Sequence, residues 1–113
     1  MKILTKIIEL NELKEAAQRR FGDFVKAVVD IDRDLIAIEA ELHSDLEALL
    51  LRDGSKQQHL WGINLYPEAS LDEFVEFDSM INIRASQGNR SRGVENPAVQ
   101  KRIVEVVSKW TKK

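Results

Sequence analysis

The sequence contains no cysteine, so disulfide bonds, thiolate metal sites and cysteine nucleophiles are excluded. It also lacks any apolar run near the roughly 18 residues that a membrane-spanning helix needs. The apolar residues at its start are interrupted by Thr5, Lys6 and Glu9, which is not the pattern of a signal peptide. Together these absences predict a cytoplasmic protein with no membrane partner.

Acidic residues are scarce in the last part of the chain, although the net charge of the whole is −2. Counting Lys and Arg against Asp and Glu, residues 23–53 carry −6 and residues 84–113 carry +6. This asymmetry is typical either of an anionic partner or of acidic and basic parts that neutralise each other within the fold. The length and the ordinary hydrophobic content predict a single domain over residues 1–113.

Several segments alternate apolar and polar residues with the period of two that favours β-strands. Residues 24–31 and 36–43 are predicted to form a first hairpin, and residues 61–66 and 75–84 a second. Residues 2–9 are predicted to form an additional edge strand, because β-branched residues are frequent there.

Three helices are predicted between and after these strands. The first covers residues 12–21. The second begins at Ser44, where Glu47 three residues later completes a capping-box pattern. The third begins after Asn96, a natural N-cap, with Pro97 in the first helical position.

The element order (β)αββαββα predicts the α+β class, with one mainly antiparallel sheet of four or five strands and about three helices packed on one face. The opposite face would be open or only partly covered, and polar strand residues would project from it. Those residues are Lys26, Asp30, Glu39, Glu41, His43, Asn64, Tyr66, Asp78, Asn82 and Arg84.

The segment NIRASQGNRSRG, residues 82–93 and here called the arginine loop, combines the features of an anion site. It has three arginines and no acid, and its Gly88 and Gly93 permit backbone shapes that gather N–H groups. It matches neither G-x-x-x-x-G-K-[ST] nor G-x-G-x-x-G. A solvated loop whose arginines pair with the acidic middle of the chain is the competing interpretation. The predicted ligand-binding residues are Asn82, Arg84, Gln87, Asn89, Arg90 and Arg92.

A second hypothesis is catalytic and centres on the segment LHSDLE. His43 would act as a general base, Asp78 would orient it, and the loop arginines would stabilise negative charge. A structural role for His43 is the competing interpretation. Because no nucleophile motif such as G-x-S-x-G occurs, a non-enzymatic role is favoured.

Acidic residues at alternating positions resemble a calcium-binding loop. Asp30, Asp32, Asp34 and Glu41 have the required spacing, but Leu35 stands where such a loop needs glycine. No metal site and no cofactor are therefore predicted.

Two longer segments, ELHSDLEALLLRDGSKQQHLWGINLYP and EFDSMINIRASQGNRSRGVENP, resemble a family of small bacterial proteins that is frequent in cyanobacteria and catalogued as a domain of unknown function. The resemblance extends from about Phe21 to Val107. It implies a cytoplasmic bacterial protein of one domain, and it implies no activity and no residue roles.

These observations favour a binding or regulatory module that recognises an anionic small molecule, a nucleic acid or an acidic partner through the arginine loop. The alternatives are a small hydrolase or nuclease that uses His43 and the loop arginines, and a structural or assembly protein that forms a homodimer. Whether His43 and the loop share a cleft depends on the strand order, which the sequence leaves open.

Overall fold

The computed structural model describes residues 1–112, which form three α-helices and seven strands. In chain order these are β1 (Lys2–Ile3), β2 (Ile8–Glu9), α1 (Leu10–Gln18), β3 (Val25–Asp30), β4 (Leu35–Ile38), α2 (His43–Arg52), β5 (Leu60–Leu65), β6 (Val75–Glu76), α3 (Pro97–Trp110) and β7 (Thr111–Lys112). Five strands form one antiparallel sheet in the order β1-β4-β3-β5-β6. The α+β class and the mainly antiparallel sheet of five strands are therefore confirmed.

The N-terminal segment forms two short strands instead of the one edge strand predicted over residues 2–9. Strand β1 pairs with β4 in the main sheet, whereas β2 pairs in parallel with β7 beyond the end of α3. The exposed residues Thr5 and Lys6 lie at the bend between them. The segment therefore ties the edge of the sheet to the end of the last helix.

Helices cover both faces of the sheet. On one face, Val25, Ala27 and Val29 of β3 belong to the core that includes α1 and α3. On the other face, Val28 of β3 and Leu60 of β5 pack with α2. The prediction that all three helices pack on one face is therefore wrong.

Consecutive apolar residues explain the second layer. Val28 and Val29 are neighbours in β3, residues 36–38 of β4 are all apolar, and each of these side chains is fully buried. Because adjacent strand residues point to opposite faces, apolar side chains emerge from both faces and both need cover. Helix α2 covers the apolar part of the second face, and the polar part beside it, with Lys26 and Asn64, borders the cavity described below.

The strand predicted over residues 75–84 ends after two residues. Only Val75–Glu76 pairs with β5, and the chain then leaves the sheet and forms a 3₁₀ turn at Met80–Asn82. The hydroxyl of Ser79 accepts the backbone N–H of Ile81 at 3.2 Å and so begins that turn. A local side-chain bond of this kind competes with strand pairing, which is why the alternating pattern failed here.

A single side chain takes the place of the missing strand beside β5. Oδ1 of Asn82 accepts the Gly62 N–H at 2.8 Å, and Nδ2 donates to the Gly62 carbonyl at 2.9 Å and to the Arg92 carbonyl at 2.9 Å. Glycine permits this approach, because an added Cβ at Gly62 would lie 2.5 Å from Cβ of Ser79. Asn82 is fully buried, so its predicted outward orientation is wrong.

The helix starts follow the sequence in one case and depart from it in another. Helix α3 begins at Pro97, and the Asn96 side chain accepts a backbone N–H of the first turn at 2.9 Å, as predicted. Helix α2 begins at His43 and has no side-chain cap, so the capping box predicted from Ser44 and Glu47 is not formed. His43 therefore lies in the first turn of a helix and not at a strand end.

We predict that Asn82→Ala lowers the free energy of unfolding by about 3 kcal/mol, because it leaves two carbonyls and one N–H unpaired in a buried place. Urea unfolding measures the change. Asn82→Asp should also destabilise, since a carboxylate turns an oxygen toward both carbonyls. The matched control is Asn11→Ala, an exposed asparagine on α1, which should change stability by less than about 0.5 kcal/mol. A cost below about 1 kcal/mol for Asn82→Ala would contradict this account.

Candidate functional site

Arg84, the first arginine of the loop, points inward. Its guanidinium donates to the carbonyls of Leu60, of Gln57 at 2.7 Å and of Ile81 at 3.2 Å. It also lies over the ring of Trp61, 4.4 Å from the centroid. Burial lowers the pKa of Arg84. This guanidinium therefore serves as a structural donor to carbonyls around the start of β5.

Gln87 and Asn89, two further amide side chains of the loop besides Asn82, are also hydrogen-bonded to the protein's own backbone. Nε2 of Gln87 donates to the Gln58 carbonyl at 3.1 Å. Asn89 is buried, and its Nδ2 donates to the Asn82 carbonyl at 2.8 Å while its Oδ1 accepts the Glu95 N–H at 2.9 Å. Gln87 thus ties the loop to the turn before β5, and Asn89 fixes the shape of the loop itself.

The N–H groups of the loop bind an anion that belongs to the chain itself. The backbone N–H groups of Arg90 and Ser91 both donate to Oε2 of Glu95, at 2.7 and 2.8 Å. These bonds, first of all the one from the Arg90 N–H, lower the pKa of Glu95. Such paired donors form the nest expected from the loop sequence. An internal carboxylate occupies it.

The remaining two arginines differ from each other. Nε of Arg92 donates to Oδ1 of Asp78 at 2.6 Å, and this bond raises the pKa of Arg92. The exposed guanidinium of Arg90 forms no ion pair or hydrogen bond with any residue in 1–112. Arg92 borders a cavity, whereas Arg90 does not.

This cavity has a volume of about 470 Å³ and lies on the α2 side of the sheet. One wall is the start of α2, residues 42–44, and the opposite wall is the segment 78–81 that the Asn82 side chain holds in place. Phe24 and Tyr66, whose rings lie 5.3 Å apart, form one end. The size is within the range of small-molecule sites.

A row of three polar side chains crosses the floor of the cavity. The strand registers pair Lys26 with Asn64 and Asn64 with Glu76, so all three project from the same face. Neighbouring strands are about 4.8 Å apart, which places the Cα atoms of Lys26 and Glu76 roughly 10 Å from each other. Asn64 lies midway between a cation and a carboxylate.

The Asn64 amide is only half satisfied. Its Nδ2 donates to Oε1 of Glu76 at 2.8 Å, which fixes the orientation of the amide. Its Oδ1 has no hydrogen-bond partner within the described chain, although the residue is only 6% exposed. A buried acceptor without a donor is unfavourable by about 1–3 kcal/mol, so it marks a place where a donor is missing.

The charges around the cavity are unevenly neutralised. The carboxylate of Glu76 accepts from Asn64 and from the Tyr66 hydroxyl at 3.2 Å, and burial raises the pKa of Tyr66, so the phenol keeps its proton. The ammonium of Lys26 forms no ion pair with any residue in 1–112 and lies 5.0 Å from the ring centroid of Phe21. The unpaired charge is therefore the lysine.

His43, Asp78 and Arg92, three of the predicted site residues, line this one cavity. Nε2 of His43 lies 2.8 Å from the Ile63 carbonyl, and because a carbonyl can only accept, Nε2 carries the proton. Burial lowers the pKa of His43, so the ring is neutral near pH 7. Asp78 is hydrogen-bonded to Arg92, and it is the Ile63 carbonyl that orients the imidazole.

The alternating pattern predicts Lys26, Asn64 and Tyr66 on the polar face of the sheet, but it does not assign them to a site and does not connect Glu76 with them. The sequence signal for these residues was that polar side chains occupy alternate strand positions, which indicates that they share one face of the sheet. No group of three or more His, Asp or Glu side chains within residues 1–112 is arranged to hold a metal ion. No helix in this part of the chain is long and apolar enough to cross a membrane.

Comparison with protein families gives one match, which covers residues 2–110 and has the description "Protein of unknown function (DUF5674)". The chain belongs to this family. The resemblance found in the sequence is thereby confirmed, and the bacterial origin of the protein stays a prediction. Searches of curated proteins and of solved structures found no significant match. In this DUF5674 member, the cavity and the arginine loop are therefore the features that bear on function.

We predict that Arg84 stabilises the fold, whereas Arg90 lies on the surface and does not. Arg84→Met should lower the free energy of unfolding by about 2–3 kcal/mol, because it removes charge-assisted bonds to buried carbonyls. The matched control Arg90→Met should change it by less than about 0.5 kcal/mol. Urea unfolding measures both, and equal effects would contradict the assignment.

The neutral state of His43 predicts a pH dependence of stability. The pKa of His43 is lower in the folded protein than its ordinary value of 6.5. As pH falls below 6.5, the unfolded chain therefore takes up a proton at this residue before the folded protein does. His43 should therefore cost stability from about pH 6.5 down to its folded pKa, by at most about 1.4 kcal/mol per pH unit. His43→Gln, which keeps a donor for Ile63, should flatten the profile between pH 7.5 and 5.5. Parallel profiles would disprove it.

Proposed function

We propose that this protein is a binding module for a small ligand that carries a carboxylate or phosphate group and occupies the cavity beside α2. The observation that carries the proposal is the ammonium of Lys26, which borders an open cavity and has no anionic partner among residues 1–112. The first turn of α2, without a side-chain cap, borders the same space and adds backbone donors and a favourable dipole.

The arginine loop contributes to this site indirectly. Of its predicted ligand-binding residues only Arg92 lines the cavity, and Asn82 acts by holding the opposite wall. The nest of the loop is filled by Glu95, so a ligand there would have to compete with a carboxylate tethered in place. We therefore place the ligand in the cavity and not on the loop.

The cavity volume of about 470 Å³ favours a small molecule over a nucleic acid or an extended partner surface. The net charge of −2 also makes a strong electrostatic attraction to nucleic acid unfavourable. We place this module in the cytoplasm, which is supported by the absence of cysteine.

A hydrolase or nuclease is the second candidate, and it is supported by the shared cavity of His43, Asp78 and Arg92. It is weaker than binding because a catalytic base should be hydrogen-bonded to a nucleophile or water and oriented by a partner such as Asp78. In this chain the Asp78 carboxylate is paired with Arg92. A homodimer formed through sheet edges has little to build on, since the edge strands β1 and β6 are two residues long.

We predict that Lys26→Gln weakens binding of a small carboxylate or phosphate by at least about tenfold, because a charge-assisted bond is worth about 1.5–3 kcal/mol. Calorimetric titration with phosphate, acetate, succinate and 4-aminobutyrate would measure this. The control is Arg90→Gln, a cation of the loop outside the cavity, which should bind like the wild type. Binding that depends on Arg90 and not on Lys26, or no binding of any of these anions, would contradict the proposal.

A further inference from the structure

The charges that surround the cavity suggest more than an anion-binding site. Lys26 and Arg92 supply two positive charges, and Glu76 and Asp78 supply two negative charges, so the lining is formally neutral with His43 uncharged. A simple anion would leave the filled cavity with an excess negative charge. A ligand with one charge of each sign would leave it neutral.

The carboxylate side of the cavity has unused acceptors. Glu76 uses Oε1 for its bonds to Asn64 and Tyr66, and Asp78 uses Oδ1 for its bond to Arg92. The second oxygen of each carboxylate forms no hydrogen bond within residues 1–112. Ionised carboxylates accept about four hydrogen bonds, so both groups have room for a donor from a ligand.

The buried Oδ1 of Asn64 adds an independent requirement. It lacks a donor while His43 is neutral, because the neutral ring has a single N–H and donates it to the Ile63 carbonyl; only a protonated ring could donate to Asn64 as well. An ionised carboxylate has only acceptors and cannot satisfy Oδ1. An ammonium group has three donors and can serve Oδ1 together with a carboxylate.

The aromatic end of the cavity fits the same chemistry. Tyr66 lines it next to Glu76, and Phe24 lies on the other side of the Tyr66 ring, stacked on Phe21. Aromatic rings beside a carboxylate favour a cation, because the ring face carries partial negative charge. The carboxylate acceptors thus lie on the β6 side, and Lys26 lies on the β3 side with Phe24, about two strand spacings or roughly 10 Å from Glu76 at Cα.

We propose that the ligand of this cavity is a small zwitterion, an amino acid whose ammonium group binds between Glu76, Asp78 and Asn64 and whose carboxylate binds Lys26 and the start of α2. The proposal rests on the proposed function and names its ligand class. An amino acid differs from a simple carboxylate by its ammonium group, and this group is the hydrogen-bond donor that the site requires.

The test uses pairs of acids that differ only in the ammonium group. Glycine, β-alanine, 4-aminobutyrate and 5-aminovalerate are compared with acetate, propionate, butyrate and valerate by calorimetric titration of the full chain. At least one amino acid should bind tenfold or more tightly than its deaminated partner. Glu76→Gln should remove most of that difference, while it retains an oxygen acceptor for Asn64 and Tyr66.

The matched control is Glu73→Gln. Glu73 is an exposed acid of the 3₁₀ turn Leu71–Glu73 and does not line the cavity, so this variant should leave the tenfold difference unchanged. Circular dichroism checks that each variant folds, and Asp78→Asn replaces Glu76→Gln if the latter does not. Equal affinities within every pair would overturn the zwitterion and leave the anion-binding module intact. Failure of all eight acids, and also of phosphate and succinate, to bind would overturn both.

Discussion

The side-chain amide of Asn82 hydrogen-bonds both backbone groups of Gly62, and this pair of bonds fixes where the chain leaves the sheet. Without these bonds, the N–H and carbonyl groups of Gly62 in β5 would be unpaired, and the segment 78–81 would not be held in place. With them, residues 78–81 stand above the polar part of the sheet and face the start of α2. The cavity is the space that remains between these two walls, and its floor is set by strand register. Its shape therefore depends on one buried side chain that never touches the ligand.

Several charged groups of the arginine loop and of the helices are neutralised by groups close to them. The Glu95 carboxylate fills the nest of the arginine loop, Arg84 binds backbone carbonyls, and Arg92 pairs with Asp78. Asp34, in a left-handed turn position, pairs with Arg102 of α3, which lowers the pKa of that carboxyl. In the cavity, by contrast, Lys26 has no ion pair and Oδ1 of Asn64 has no hydrogen-bond partner among residues 1–112. Exceptions to internal pairing are where external ligands have something to gain.

Local signals predicted the parts of the fold that depend on local bonds. Asn96 and Pro97 gave the start of α3, and alternation gave β3, β4 and β5. The prediction of a strand over residues 75–84 was wrong, because the alternation of apolar and polar residues there continues into a turn that is not part of the sheet. The candidate site was only partly predictable, because Lys26, Asn64 and Glu76 meet through the order β3-β5-β6, which no local pattern encodes. Likewise, no feature of the loop sequence predicts that the carboxylate bound by its backbone N–H groups is that of Glu95.

The central claim is that the ligand site is the cavity and not the arginine loop. Its most direct test is backbone amide chemical-shift mapping of the ¹⁵N-labelled protein, titrated with glycine, β-alanine, 4-aminobutyrate and 5-aminovalerate. The account predicts saturable shifts at residues 42–44, at Asn64 and at residues 78–81, with little change at residues 84–90. Shifts confined to residues 84–90, or no saturable shift with any of the four, would contradict it.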